Sequence, residues 1–295
     1  MAEPAAPSVA VVPPGTATGA ATGPTPELLD LLGARTAVLT GAGLSTDSGI
    51  PDYRGPGAPV RRPMTYQEFV ADDAGRQRYW ARAHVGWSRM REAEPNAGHR
   101  ALARLERLGQ VSFLITQNVD GLHERAGHQA LVALHGRISE VVCLDCRLTV
   151  PRQQVQRRLA ELNPGWLETY AAAPVRPDGD VDLEDTGRFV VPPCEACGGR
   201  LKPDVVFFGE NVPKDRVARC YDAVDAADAL LVAGSSLTVM SGLRFVRHAA
   251  KTGTPVVLVN RGATRGDDLV TAKLDTGCGP WLSALADAVE GRRAG

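Results

Sequence analysis

Four of the six cysteines form two C-x-x-C pairs, Cys143 with Cys146 and Cys194 with Cys197. Each pair offers two thiolates at the spacing of a turn, and four thiolates satisfy a tetrahedral zinc ion without leaving a position open for a reacting molecule. The long segment between the pairs, 147–193, adds only about 1 kcal/mol of loop-closure cost, which is small beside the ~10–16 kcal/mol of apparent binding energy of a structural zinc. The sequence therefore predicts one structural zinc, the alternative being four unligated buried thiols.

A glycine-rich turn follows an apolar run in TAVLTGAGLST, residues 36–46. Gly41 and Gly43 match the first two glycines of the dinucleotide-binding pattern G-x-G-x-x-G, but Thr46 stands at the third glycine position. Small residues with free backbone N–H groups after a strand can cradle a pyrophosphate. A dehydrogenase would have a second strand ending in an acidic residue about twenty residues later, and the polar, helical stretch 56–75 contains no such strand. The turn therefore indicates a dinucleotide but argues against hydride transfer.

Polar and small residues also follow four other apolar runs, where predicted strands end: Gln117, Asn118 and Asp120; His135; Gly234, Ser235 and Ser236; and Asn260. Because an open parallel sheet binds ligands at the carboxyl ends of its strands, we expect these residues to meet the glycine-rich turn at one edge. An imidazole with an ordinary pKa of about 6.5 suits a general base near neutral pH. His135 is therefore the candidate base.

Near-continuous apolar runs predict parallel strands that are covered on both faces, at 36–40, 111–116, 131–134, 204–208, 229–233 and 256–260. Helical patterns over 96–108 and 214–226 separate some of these runs. Thr25 and Pro26 have the residue types of an N-cap and a first helical position, so a short helix precedes the first strand. This alternation predicts a doubly wound, Rossmann-like α/β fold with a parallel sheet.

The remaining segments define the expected domain organisation. Residues 1–26 are built almost wholly from Ala, Pro, Thr, Gly and Val, so we predict a disordered tail. The large Rossmann-like domain is predicted to comprise residues 27–55, 96–140 and 201–291. A helical insertion, 56–95, and a zinc-binding insertion, 141–200, are predicted to form the smaller domain together.

The charge of the chain limits its partners. Its 33 Lys and Arg against 34 Asp and Glu give a net charge of −1, so no basic field favours nucleic acid or an anionic membrane. No apolar run approaches the ~20 residues of a spanning helix, and the segment before Arg35 has the features of neither a signal nor a transit peptide. We expect a cytoplasmic bacterial protein, with a monomer as the favoured oligomeric state.

Taken together, the motifs resemble those of one known family. GAGLSTDSGIPDYRG, TQNVDGLHERAG, LHG, the paired C-x-x-C motifs, LKPDVVFFGENVP and AGSSLTVMSG occur in the order found in the sirtuins, the NAD-dependent protein lysine deacylases. The resemblance covers the chain from residue 27 to residue 290. RRPMTYQEFV and RQRYWARAHVGW further resemble the class II subgroup.

The resemblance implies a role for each group of residues. The residues that would bind NAD are Gly41, Ala42, Gly43, Ser45, Asp52, Tyr53, Arg54, Gln117, Asn118, Asp120, Gly234, Ser235, Ser236, Asn260 and Cys278. Among them Asp120 would hold the nicotinamide carboxamide, and Asn118 would order water and ribose, beside His135 as the base. Val206, Phe207, Phe208, Gly209 and Glu210 would bind an acyl-lysine peptide as an added strand.

The chemistry implied is cleavage of NAD. The acyl-lysine carbonyl oxygen attacks the anomeric carbon of the nicotinamide ribose, nicotinamide leaves, and His135 removes a ribose hydroxyl proton. The products are free lysine, nicotinamide and O-acyl-ADP-ribose, with zinc only holding the small domain's shape. Mono-ADP-ribosyl transfer in the same site is the alternative, while a dehydrogenase and a zinc-containing binding module represent other classes. The preferred acyl chain stays open, because Tyr53 replaces a common phenylalanine beside a short segment, 55–61.

Overall fold

The computed structural model describes residues 23–52, 63–170, 181, 183 and 185–294. Most of the predicted tail, and the candidate site residues Tyr53 and Arg54, lie outside these described residues. The described chain begins three residues before the first helix, which starts at Pro26 with the Thr25 side chain as its cap. The predicted helix start is thus confirmed. Pro26 is also the last residue of the segment 1–26 that was predicted as the tail, so the helix and the predicted tail overlap by one residue.

The described residues form nine strands: β1 (Thr36–Thr40), β2 (Val111–Thr116), β3 (Leu131–Ala133), β4 (Gly136–Cys143), β5 (Thr149–Pro151), β6 (Leu201–Val205), β7 (Ala229–Ala233), β8 (Val256–Val259) and β9 (Ala272–Leu274). They also form ten α-helices: α1 (Pro26–Leu32), α2 (Tyr66–Ala71), α3 (Asp73–Glu92), α4 (Ala97–Arg107), α5 (Leu122–Arg125), α6 (Arg152–Leu162), α7 (Trp166–Thr169), α8 (Lys214–Asp225), α9 (Met240–Thr252) and α10 (Cys278–Ala294). None of these helices is both long and apolar enough to cross a bilayer.

The larger sheet has six parallel strands in the order β3-β2-β1-β7-β8-β9. Strand β1 lies in the middle, with Thr40 opposite Thr116 of β2 on one side and Ala233 of β7 on the other. The strands that follow β1 in the chain are therefore divided between its two sides. Such a reversal opens a crevice at the carboxyl ends of the central strands, so the predicted doubly wound sheet is confirmed along with its ligand-binding edge.

Helices cover both faces of this sheet, as its apolar strands require. Successive side chains of a strand point to opposite faces. Accordingly Val38 packs with residues of α4 and α10, including Trp281, whereas Leu39 packs with residues of α8 and α9, including Phe245. Burial on both sides explains why the strands are continuously apolar instead of alternating.

The smaller sheet is antiparallel, in the order β5-β4-β6. Its core joins Val141 of β4 to Phe69 of α2, Trp80 of α3 and Leu159 of α6. Strand β4 crosses the predicted start of the zinc-binding insertion at residue 141, and β6 begins at Leu201, directly after its predicted end at residue 200. The small sheet therefore begins and ends within segments that had been assigned to the large domain.

The predicted parallel strand at 204–208 is wrong in both its bounds and its partners. The strand is β6, which ends at Val205 and pairs antiparallel with β4. Beyond it the Phe207 N–H binds the Glu210 side chain and the Glu210 N–H binds the Phe207 carbonyl, which closes a turn. An apolar run reports burial, and burial alone does not identify the neighbouring strand.

Smaller differences occur at element ends. Strands β3 and β8 each stop one residue short of their predicted bounds. Asn96 caps α4 through its side chain, so it precedes the helix that was predicted to include it. Strands β4, β5 and β9 were not predicted, because β5 and β9 have three residues each and β4 carries polar residues within its run.

Candidate functional site

A cleft of about 1060 Å³ lies at the carboxyl ends of the central strands. It is lined by every described residue that the sequence nominated for cofactor, catalysis or peptide: Gly41, Ala42, Gly43, Ser45, Asp52, Gln117, Asn118, Asp120, His135, Val206, Phe207, Phe208, Gly209, Glu210, Gly234, Ser235, Ser236, Asn260 and Cys278. Residues that are far apart in the chain thus share one concave surface, as a binding site requires.

The glycine-rich turn is pressed against the loop after β7. A Cβ on Gly234, whose φ is +65°, would lie 2.4 Å from the Leu44 backbone nitrogen. The Gly43 N–H donates to the Gly234 carbonyl at 2.9 Å. Thr46 begins a short 3₁₀ turn, and its hydroxyl donates to the Gly43 carbonyl. The third position of the glycine pattern therefore needs no glycine here, and the two loops form a backbone cradle suited to a pyrophosphate.

A chain of hydrogen bonds fixes the polar residues beside this cradle. The Asn118 amide donates to the Gly41 carbonyl at 3.0 Å and to the Ser45 hydroxyl at 2.9 Å. Ser45 in turn donates to the Asp120 carboxyl at 2.7 Å, and the Leu122 N–H donates to its other oxygen. Burial raises the pKa of Asp120, and these two hydrogen bonds oppose that shift. The carboxyl group is held in one orientation at the cleft wall.

His135 follows β3 and has hydrogen bonds on both edges of its ring. Its Nδ1 lies 2.9 Å from the Gln117 carbonyl oxygen, and its Nε2 lies 2.8 Å from the Ser241 hydroxyl. Burial lowers the pKa of His135 to about 4, and the positive charges of Arg216 and Arg244 act in the same direction. The imidazole is therefore neutral near pH 7, the state that a general base needs.

The segment from Val206 to Glu210 lines the opposite wall of the cleft. The Val206 N–H donates to the His135 carbonyl at 2.8 Å, which joins this wall to the candidate base. The Phe208 carbonyl accepts from the Tyr66 N–H, so the segment also contacts the start of α2. Gly209 adopts φ +77°, and the Glu210 carboxylate pairs with the buried Lys202 ammonium at 3.0 Å. These contacts define the shape of the wall.

Two further nominated residues lie at the far side of the cleft. The Asn260 amide donates to the Arg261 carbonyl at 2.7 Å. The Cys278 thiol lies at the start of α10 and donates to the Val259 carbonyl at 3.4 Å. Burial raises the pKa of Cys278 to about 12, so it stays a thiol and does not act as a nucleophile.

The four paired cysteines meet in the small sheet's region with their sulfur atoms all within 4.8 Å of one another. The sulfurs of Cys143 and Cys197 are 3.6 Å apart, and those of Cys146 and Cys194 are 3.8 Å apart. None of the four forms a disulfide bond. Tetrahedral zinc with Zn–S bonds of about 2.3 Å places sulfurs about 3.8 Å apart. The four residues fit a structural zinc ion.

Several residues of the cleft were not predicted from the sequence. Met64 comes from the helical insertion, and Ser241 and Arg244 come from the first turns of α9. The insertion offers no motif that would single out Met64. A signal existed for Ser241, since it lies six positions after Ser235 in the same strand–turn–helix unit, but its contact with His135 depends on the packing of α9.

Comparison with known proteins gives a consistent result. A model of the Sir2 family matches residues 41–241. NAD-dependent protein deacetylase 1 of Mycobacterium avium (strain 104) is 56% identical over 266 residues, covering 89% of this chain and 94% of that protein. NAD-dependent protein deacetylase 1 of Streptomyces coelicolor is 55% identical, covering 88% of this chain and 87% of its own length.

Solved structures of similar shape carry ligands of the expected kind. A complex described as Sir2, p53 peptide and NAD+ has a TM-score of 0.69 at 31% identity, covering 91% of this chain and 98% of that one. A mutant Sir2 homologue in complex with ADP-ribose has a TM-score of 0.73 at 29% identity, covering 92% and 98%.

Proposed function

The chain belongs to the Sir2 family, and from this premise we propose that its cleft removes acyl groups from protein lysines at the expense of NAD. The enzyme is an NAD-dependent protein deacylase, in line with relatives of more than half identity that are NAD-dependent protein deacetylases. A bound NAD supplies the ribose carbon that the acyl oxygen attacks and the hydroxyl that afterwards receives the acyl group.

The observation that carries this proposal is the meeting of a neutral base with a backbone cradle in one cleft. His135 lines the same cleft as Gly41, Gly43 and Gly234, and at these three glycines an added Cβ would come within about 3.0 Å of backbone or side-chain atoms of the facing loop. The cradle suits the pyrophosphate of a dinucleotide, and the base suits removal of a hydroxyl proton.

Each polar residue of the cleft then receives a task. Asp120, held by Ser45 and the Leu122 N–H, presents its carboxyl to the nicotinamide amide. Asn118 orders water and ribose. Ser235, Ser236 and Asn260 bind the adenosine side. His135 acts as the base through Nε2, because the bond from Nδ1 to the Gln117 carbonyl places the ring proton on Nδ1.

The protein substrate lies along the opposite wall. Val206 to Glu210 line the position of an acyl-lysine peptide and guide the lysine toward His135, to whose carbonyl Val206 is bonded. Structural zinc at the four cysteines holds β4 and β6 together, and β6 leads directly into this wall. We further propose a class II enzyme that works as a monomer in the bacterial cytoplasm.

A panel of peptides that differ only in the acyl chain on lysine, incubated with NAD, tests this function. We expect nicotinamide release in step with deacylation for at least one chain and none without peptide. His135→Ala should lower the rate of deacylation about 10²–10⁴-fold, whereas His248→Gln, a substitution of a half-buried histidine outside the cleft, should not change it. Absence of turnover on every chain contradicts deacylation. Mass addition to an acceptor protein would identify ADP-ribosyl transfer, and appearance of NADH would identify a dehydrogenase.

A further inference from the structure

The hydrogen bonds of the His135 ring identify a further residue beside the base. A carbonyl oxygen only accepts hydrogen bonds, so the contact of 2.9 Å with the Gln117 carbonyl places the proton of the neutral ring on Nδ1. Nε2 then holds the lone pair, and the Ser241 hydroxyl, 2.8 Å away, donates to it. The basic nitrogen is thus already bonded to a serine that lines the same cleft.

The packing of α9 explains why this serine reaches the ring. Ser241 is the second residue of the helix, and Gly242 follows it. A Cβ on Gly242 would lie 2.5 Å from the side-chain oxygen of Gln117. The glycine therefore lets the first turn of α9 pack against Gln117, the same residue whose carbonyl binds Nδ1. Gln117 and the first turn of α9, which packs against it, therefore hold the two edges of the imidazole ring.

The surrounding charges favour a proton that moves through the serine oxygen. Ser241 lies in the first turn of a 13-residue helix, where the backbone dipole stabilises negative charge. The positive charges of Arg244, one turn further along α9, and of Arg216 of α8, which pairs with Asp204 at 3.3 Å, contribute to lowering the pKa of His135. These positive groups disfavour a lasting imidazolium and stabilise developing negative charge on a nearby oxygen.

We propose that Ser241 is a catalytic proton relay between the reacting hydroxyl of the substrate and His135, an inference that rests on the proposed deacylase function. In the step, the substrate O–H bond breaks and its proton bonds to Ser241 Oγ. The Oγ–H bond breaks and that proton bonds to His135 Nε2. The electron pair stays on the substrate oxygen, which bonds to the acyl carbon as the second bond between that carbon and the lysine nitrogen breaks and its electron pair moves onto the nitrogen. The proton on His135 Nε2 then passes to the lysine amine as it leaves, so His135 and Ser241 both return to their starting forms.

Two assays on the same protein separate this relay from a structural role. Labelled nicotinamide exchanges into NAD in the presence of acyl peptide through the bond cleavage that precedes the relay, whereas deacylation needs the relay. Ser241→Ala should lower kcat for deacylation about 10²-fold, the usual scale of one proton-transfer group, and should leave exchange within about threefold of the wild type. Ser241→Thr keeps a hydroxyl and should retain most deacylation, while Ser88→Ala on α3 is the matched control that should change neither rate.

A double variant adds a second criterion. His135→Ala combined with Ser241→Ala should deacylate no more slowly than His135→Ala alone, because both residues act in one step. Additive losses, or equal losses of exchange and deacylation in Ser241→Ala, would overturn the relay and leave the deacylase function standing. Absence of turnover in the wild type would overturn both.

A measurement without NAD or peptide tests the contact itself. ¹⁵N NMR of the histidine side chains, with His135 assigned by its substitution, should show the proton on Nδ1 in the wild type. Ser241→Ala should shift the Nε2 resonance, and Ser241→Thr should not. A wild-type proton on Nε2, or an Nε2 resonance that does not respond to Ser241→Ala, excludes the relay whatever the activity.

Discussion

At the scale of single residues, the cleft keeps its ionisable groups in the forms that acyl transfer uses. Burial lowers the pKa of His135 to about 4, so it is a free base near neutrality. Burial raises the pKa of Cys278 to about 12, so the thiol beside the proposed nucleotide position does not compete as a nucleophile. Asp120 is fixed by Ser45, which in turn accepts from Asn118. The protonation state or orientation of each group thus depends on its neighbours as well as on its residue type.

The lowered pKa of His135 gives a prediction for the pH dependence of deacylation. A base with a pKa of about 4 stays unprotonated on mild acidification, whereas one with the ordinary pKa of about 6.5 would be roughly 90% protonated at about pH 5.5. We expect kcat/KM for an acyl peptide to be nearly equal at about pH 7.5 and about pH 5.5. Initial rates would be measured at each pH with circular dichroism confirming the fold. A tenfold fall over this range, with folding intact, would contradict it.

At the scale of elements, two loops and one metal-binding region place these residues. The turn after β1 and the loop after β7 touch at Gly43 and Gly234, where backbone meets backbone. In that second loop, Leu237 adopts φ +54°, a conformation that a non-glycine residue holds only when its surroundings enforce it. The cysteine cluster and the small sheet hold β6, from which the proposed peptide wall continues.

The contact between the two loops predicts that one added methyl group at Gly234 lowers both the stability and the NAD affinity of the protein. Gly234→Ala places a Cβ 2.4 Å from the Leu44 backbone nitrogen, and we expect a loss of about 2–4 kcal/mol of unfolding free energy from left-handed strain plus overpacking. NAD affinity should fall at least about tenfold. Gly253→Ala is the control, because Gly253 has φ +79° but open space around its Cβ. Urea unfolding should show only about 1 kcal/mol of strain there, and calorimetry should show unchanged NAD affinity. Equal effects of both variants would argue against the close contact.

The cysteine cluster predicts that a substitution can remove zinc from the protein while NAD binding is largely kept. Cys197→Ser removes one of four ligands, so zinc should fall from one ion per chain to well below one, with a loss of several kcal/mol in stability. Deacylation should fall with it, because β4 and β6 support the peptide wall, while NAD binding on the large sheet should change less than about threefold. Zinc would be measured by elemental analysis and NAD by calorimetry. Cys220→Ala, in the core of the large sheet, should keep its zinc. Full zinc content in Cys197→Ser would contradict the assignment.

At the scale of the whole molecule, buried histidines make the stability of the folded protein depend on pH. His84, His99, His123 and His128 are buried, and burial lowers the pKa of each. The rings of His99 and His123 lie 4.7 Å apart, and the Nε2 of His123 is bonded to the Thr40 hydroxyl at the end of β1. His135, the proposed base, shares this behaviour. The interior therefore holds these rings neutral, and protonating them opposes folding.

These histidines predict acid instability with a defined sign. Since the unfolded pKa is about 6.5 and the folded values of His84, His99 and His135 are about 4, the unfolded chain binds more protons between these values. Stability is then complete above about pH 6.5 and falls as the pH drops toward 4, by roughly 1 kcal/mol for each such histidine between pH 7.5 and 5.5. Urea unfolding at both pH values checks this in zinc-loaded protein. His99→Gln should reduce the difference, and Ser88→Ala, which removes no histidine, should not. A flat stability between the two pH values would refute it.

The sequence by itself determined the family, the parallel sheet and the metal ligands. Local patterns sufficed for these, because a glycine-rich turn, a C-x-x-C pair and a continuously apolar strand each report nearby backbone geometry or burial. The strand at 204–208 shows the limit, since its apolar run could not reveal that β6 joins β4 in a second, antiparallel sheet. Likewise no pattern showed that Gly242 packs on Gln117 and brings Ser241 to His135. Such contacts join residues that are distant in the chain, and only the tertiary packing of α9 and β6 against the rest of the fold decided them.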